Sequence, residues 1–191
     1  VRMALATLIE EGLLTTRKRG GTQVVKKPFQ PPSFLLPATW RELVAFGAQI
    51  TPQTLASESG CVPLVPPGVA VRGTFASEYQ RLLRVHTHED AKFCFSELYL
   101  EQDAYSALAM KLPTTTLADA LGNDPSVIAS ARQHLSVAPA DELIANALGV
   151  SLGTPLMQAL RWACNPDGLI IYWAKVSFLS EYVHIEMDLL K

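Results

Sequence analysis

Three groups of residues carry side chains that could do chemistry together. In the first, Arg84 and His86 sit in one apolar run, and Glu97 and Tyr99 sit in the next. Residues two apart on an extended strand project to the same side, so each pair presents one face. A cation converging on a carboxylate across neighbouring strands suits a small polar or zwitterionic ligand. The same spacing equally makes a surface salt-bridge ladder across a hairpin. The second group is Arg161, a lone charge between Leu160 and Trp162 that either pairs internally or faces a pocket. The third is Arg17, Lys18 and Arg19 followed by Gly20, Gly21 and Thr22. A cationic tip on a tight glycine turn suits contact with phosphates, and a solvated hairpin with three exposed cations reads the same way.

Other combinations carry less. His86 and His88, followed by Glu89 and Asp90, could chelate a metal from one strand face, but a solvated hairpin turn accounts for the segment more simply. No metal and no cofactor are expected. No nucleophile, base and orienting partner stand together as a set, so no residue is assigned to catalysis.

The charges divide along the chain. Residues 1–27 hold six Lys and Arg against two Glu, and residues 28–191 hold ten against sixteen Asp and Glu. A local excess of about +4 is the electrostatic footprint of a phosphate-contacting module, whereas an acidic remainder would repel DNA. No apolar run reaches the roughly 18 residues that span a bilayer. Cys61, Cys94 and Cys164 are odd in number and far apart, which favours reduced thiols and a cytoplasmic protein.

The elements that must position these groups follow from periodicity and punctuation. Val1, Leu5, Leu8 and Ile9 form a helical stripe stopped by Gly12, and the runs 13–16 and 22–25 make a hairpin around the basic turn. Four prolines between Pro28 and Pro37 mark an extended linker over 28–39, its apolar side chains lying partly against a surface. From Trp40 onwards, helices are expected at 40–47, 102–112, 116–121 and 139–149. Strands are expected at 50–58, 80–87, 92–100, 127–137, 155–163 and 169–179, with 75–79 a short helical or irregular segment and 185–190 closing the sheet. Asn165, Pro166, Asp167 and Gly168 form a turn. The fold class is α+β, a mostly antiparallel sheet backed by short helices. The domains are therefore 1–27, a linker at 28–39, and 40–191.

The first segment resembles the recognition helix and wing of the GntR superfamily of bacterial transcription factors. The resemblance rests on Val1-Arg2-Met3-Ala4-Leu5, on Leu8-Ile9-Glu10-Glu11-Gly12-Leu13-Leu14, and on Arg17-Lys18-Arg19-Gly20-Gly21-Thr22 with Val24. The second segment is similar to the effector-binding UTRA domain of the HutC subfamily, which has a chorismate-lyase-like fold. Its strongest match runs from Ala140-Asp141-Glu142-Leu143-Ile144 to Gly149, then Gly153-Thr154-Pro155-Leu156-Met157, Arg161 and Asn165-Pro166-Asp167-Gly168. Leu82-Leu83-Arg84-Val85-His86 and Ser96-Glu97-Leu98-Tyr99-Leu100 stand where that family has an Arg-Xaa-Arg strand and a glutamate strand.

The resemblance implies a ligand-responsive regulator, cut through its winged helix-turn-helix, whose sheet domain binds a small metabolite and dimerises. Arg2 and the wing residues Arg17, Lys18, Arg19, Gly20, Gly21 and Thr22 would contact DNA in the intact protein. Arg84, His86, Glu97, Tyr99, Arg161 and Glu181 would line the effector site. The fragment itself would bind DNA weakly or not at all. The chain departs from the family at Ala174 in place of a serine, at Leu179 in place of an arginine, at Glu181 for an aspartate, and at His86 for the second arginine. With those anion donors gone, a ligand with one carboxylate, or a more apolar one, is expected instead of a phosphosugar. The alternatives are a chorismate-lyase-like enzyme and a ligandless dimerisation domain; no enzyme activity is expected.

Overall fold

The computed structural model describes residues 2–10, 14–17, 21–24 and 33–190. The chain forms two compact units, Val1–Ser33 and Phe34–Lys191. In the first, α1 (Arg2–Glu10) precedes a hairpin of β1 (Leu14–Arg17) and β2 (Gly21–Val24), paired from Leu14 against Val24 to Arg17 against Gly21. Gly21 takes φ 70°, the left-handed region that glycine enters freely. Lys18, Arg19 and Gly20, the tip of the expected wing, lie outside the described residues, as does the linker stretch 28–32.

The second unit opens with β3 (Phe34–Leu35), and Leu36 and Pro37 are already buried. Next comes α2 (Trp40–Gly47). Thr39 caps it, accepting from the Glu42 amide at 3.2 Å while the Glu42 carboxylate accepts from the Thr39 and Ala38 amides at 3.1 and 2.9 Å. Two orphan donors at the helix start are thereby satisfied reciprocally. Those backbone bonds hold the Glu42 carboxyl below its usual range.

The main sheet is built from β4 (Thr51–Cys61), β6 (Tyr79–His88), β7 (Ala91–Glu101), β8 (Ser130–Pro139), β9 (Pro155–Cys164) and β10 (Leu169–Leu179). Their order is β4-β6-β7-β10-β9-β8, antiparallel throughout, and the short β5 (Thr74–Phe75) adds parallel to the start of β10. Glu89 and Asp90 make the β6–β7 turn with positive φ, which short polar side chains tolerate better than branched ones. Three short helices complete the unit: α3 (Gln102–Leu108), α4 (Leu117–Leu121) and α5 (Glu142–Leu148). Asp141 caps α5 at its start, and Gly149 closes it in the left-handed conformation.

Two expectations are corrected. The helix expected over 102–112 ends at Leu108, and the Lys111 and Leu112 amides both turn back to the Leu108 carbonyl. Pro113 disfavours helical backbone at Leu112 and offers no amide of its own. Residues 185–190 do not close the sheet: β10 already has β7 on one side and β9 on the other. The chain leaves β10 through a 3-10 turn (Ser180–Tyr182), and β11 (Val183–His184) pairs in parallel with β3.

A strap between β4 and β6 covers one face of the sheet at one end, where Tyr79, Trp162 and Trp173 pack with Phe75. The indole nitrogen of Trp162 donates to the Arg72 carbonyl at 3.2 Å, and Tyr79 donates to the Ile170 carbonyl at 2.8 Å. Towards the other end, α2 and α4 pack on each other beside the opposite face, with the Trp40 indole donating to the Gly122 carbonyl at 2.8 Å. At Gly47 a Cβ would collide with the Thr116 hydroxyl that caps α4. Gly47→Ala should therefore lower stability by about 1–3 kcal/mol despite the better helix propensity of alanine. Urea unfolding of the two proteins measures the difference.

Candidate functional site

Strand register decides which side chains meet. Arg84 lies opposite Ser96, His86 opposite Cys94, and Leu82 opposite Leu98, whereas Glu97 lies opposite Leu83 and Tyr99 opposite Arg81. Directly opposed residues share a face, so Arg84 and His86 are on one side of the sheet and Glu97 and Tyr99 on the other. The expected convergence of Arg84 with Glu97 is not formed. Glu97 instead takes the Arg81 guanidinium at 2.7 Å and the Tyr99 hydroxyl at 2.9 Å, and Arg81 also reaches Glu58 at 3.3 Å. That half-exposed cluster is the salt-bridge ladder, on the outer face. Glu181 is exposed in the turn after β10.

The inner face holds a mainly apolar cavity with a few polar side chains on its floor. One cavity of about 50 Å³ is roofed by Leu43, Phe46, Gly47 and Ile50 and by Thr116–Ala118. Its floor includes His86, Phe93, Ser96, Arg161, Tyr172 and Phe178. A second, of about 60 Å³, lies between Pro37–Trp40 and the β8 residues Ala131, Arg132 and Gln133. Arg161 lines both. Between His86 and Thr87 the register slips, a bulge at the rim of the site.

Arg161 is 5% exposed. Its Nε donates to the Gln133 Oε1 at 2.6 Å, its Cζ stands 5.6 Å from the centre of the Phe178 ring, and its Nη2 is buried with no partner. Gln133 continues the chain of bonds, donating from Nε2 to the Pro37 carbonyl at 3.2 Å. Burial pulls the Arg161 guanidinium down from its ordinary value, with Tyr172 and Cys94 opposing. Burial in turn pushes Tyr172 up to about 12 and holds the Cys94 thiol protonated.

Arg84 is bound differently. Its two terminal nitrogens donate to the Thr115 and Leu112 carbonyls, each at 3.0 Å, so its fork closes the turn after α3. It borders a separate, wider recess of about 470 Å³ between β4 and α3, and burial pulls it down to about 10. His86 shares a 2.6 Å hydrogen bond with the Ser96 hydroxyl, and burial first, then the charges of Arg84 and Arg161, pull it down to about 3. It is a neutral imidazole at pH 7.

Of the six effector-site residues read from the sequence, the structure gathers His86 and Arg161 in one cavity and leaves Arg84, Glu97, Tyr99 and Glu181 out of it. Sequence reasoning passed over Ser96, Thr116, Tyr172 and Gln133. The cap position of Thr116 before Leu117 was a visible signal. The others depend on register. The possible metal pair is occupied otherwise: His86 bonds Ser96, and His88 Nδ1 lies 3.4 Å from the Gln49 carbonyl.

A histidine held neutral below its unfolded value stabilises the fold above pH 6.5, because only the unfolded state takes up the proton as the pH falls. That contribution is lost between pH 6.5 and 3, at up to about 1.4 kcal/mol per pH unit. Denaturant unfolding across that range should show the slope, and His86→Gln, which keeps a partner for Ser96, should flatten it. An unchanged slope would show that His86 titrates normally.

Comparison with known proteins agrees with this architecture. The UTRA domain profile matches residues 70–184. No curated protein matches the sequence. Among solved structures, YydK from Bacillus subtilis, described as a possible transcriptional regulator, superposes with a TM-score of 0.56 at 16% identity, covering 98% of this chain and 81% of its own. PhnF from Mycobacterium smegmatis gives 0.56 at 17% identity, covering 99% and 84%. A GntR-family transcriptional regulator from Enterococcus faecalis gives 0.54 at 13%, covering 72% of this chain and 99% of that one. At such identities the superpositions establish a shared fold, and the profile match over more than half the chain establishes the family: the chain belongs to the UTRA domain family.

Proposed function

We propose that this chain is the ligand-sensing part of a bacterial GntR-type transcriptional regulator of the HutC subfamily, acting as a cytoplasmic, homodimeric repressor. Its UTRA domain binds a small metabolite in the inner-face cavity, and occupancy changes how the amino-terminal unit engages operator DNA. The observation that carries this reading is the UTRA match over a domain whose largely apolar cavity holds a buried guanidinium with one nitrogen, Nη2, left without a partner. The Arg161–Gln133–Pro37 bonds tie the cavity to the start of the sheet domain, within Phe34–Lys191. Coupling of this kind is typically worth about 1–3 kcal/mol between ligand and DNA affinity.

The DNA contacts are assigned to Arg2 on α1 and to Arg17, Lys18, Arg19, Gly20, Gly21 and Thr22 of the wing, phosphates and the minor groove being the targets of the wing. The cavity brings the Ser96 hydroxyl to the neutral His86 at 2.6 Å but lines the pair with no Asp or Glu to orient the imidazole, and a shared fold does not confer chemistry. Pyruvate release from chorismate is expected to be absent.

The intact regulator can be selected against genomic fragments for its operator and then titrated with metabolite extracts. A ligand that stabilises the protein should change operator affinity by about 5- to 150-fold. Unchanged operator affinity with every ligand that binds would end the regulatory reading. Arg17→Ala should reduce the log–log salt slope of DNA binding by about one.

A further inference from the structure

We propose that Arg161, and not Arg84, is the anion receptor of this cavity, and that its ligand is a small monocarboxylate with an apolar body. The inference rests on the effector-site reading above and adds the ligand class to it.

The inner face carries two arginines, and their bonding differs. Arg84 spends both terminal nitrogens on backbone carbonyls, at 3.0 Å each. Its fork is held by the 112–115 turn, its buried Nε has no partner, and it lines neither of the cavities that Arg161 lines. Arg161 spends its Nε on Gln133 and meets the Tyr172 hydroxyl, and it keeps a buried Nη2 without a partner. No Asp or Glu lines either cavity beside it. A buried guanidinium with no counter-charge is where an incoming anion gains most, because the desolvation has already taken place in the fold.

In the cavity beneath α2 and α4, Arg161 is the one Arg or Lys of the lining, so one receptor charge matches one ligand charge there, while Arg132 borders the second cavity. His86 adds none, being neutral and bonded to Ser96. A phosphate monoester would bring about −1.5 to −2 charge and three acceptor oxygens to a single open donor group. The remainder of the wall, including Phe46, Phe93, Leu117, Val176 and Phe178, is apolar. Space is limited to about 50 and 60 Å³ on the two sides of Arg161. Since a water needs roughly 10–15 Å³ of such volume, each side holds a few waters, the bulk of a small organic acid.

The test is thermal shift and calorimetry on the full chain with butyrate, hexanoate, benzoate and phenylacetate. Benzamide serves as the neutral control, and inorganic phosphate and glucose 6-phosphate as phosphate probes. At least one carboxylate should raise the melting temperature by several degrees, while benzamide and both phosphates leave it unchanged. Arg161→Met should weaken that carboxylate at least tenfold, and Arg161→Lys, which keeps the charge on a folded protein but loses the fork, should weaken it by a smaller factor. Equal binding by the parent and both variants would overturn the receptor assignment. Stabilisation by the phosphates alone would overturn the ligand class and leave the effector-site reading standing. If no probe stabilises the protein, the ligand class falls, and a metabolite retained in native mass spectra then decides the effector-site reading separately.

Discussion

The burial of one unneutralised guanidinium, that of Arg161, sets the terms for the rest of the sheet domain. Taking such a charge out of water carries a penalty of several kcal/mol even after relaxation, and hydrophobic packing cannot offset it at the site itself. The surroundings soften it instead. Gln133 accepts one donor, the Phe178 ring lies within cation–π range, and Tyr172 stands beside the head group. What remains open is the Nη2 group. A fold that keeps this arrangement in place of an apolar side chain is less stable than it could be, which is the usual signature of a position held for binding.

The two faces of the sheet divide the work. On the outer face, Trp162 and Trp173 stack 5.7 Å apart beneath the 61–78 strap, and the charges there neutralise each other within reach of solvent. Such surface pairs contribute about 0–1 kcal/mol and need no ligand. On the inner face, α2 and α4 roof a mainly apolar cavity without filling it. The thermodynamic weight of the fold thus rests on aromatic packing and strand pairing, which leaves the inner cavity free to be imperfectly satisfied.

What could be read from the residues was what local forces decide. The helix at Trp40–Gly47, the helix stopped at Gly149 and the Asn165–Gly168 turn follow from neighbours a few positions away, and they form where expected, while the cap expected at Gly47 falls one residue later, at Ala48. The β6–β7 hairpin was legible for the same reason. Which face Glu97 shares with Arg84 was not, because alternation fixes relative sides within a strand while the turn's register fixes them between strands. The Gln133–Pro37 bond joins residues 96 apart in sequence, and no periodicity signals it. The 185–190 run alternates like a strand, yet no edge was free beside β10 to receive it.

The most direct test of the account is a crystal structure of the full chain grown with the tightest-binding carboxylate at saturation. The account requires the carboxylate on Arg161 Nη2, with its apolar body against Phe46 and Leu117 beneath α2, and with Arg84 still bonded to the Leu112 and Thr115 carbonyls. A carboxylate seated on Arg84 or on the outer-face Arg81 cluster, with the Arg161 cavity unchanged, would contradict it.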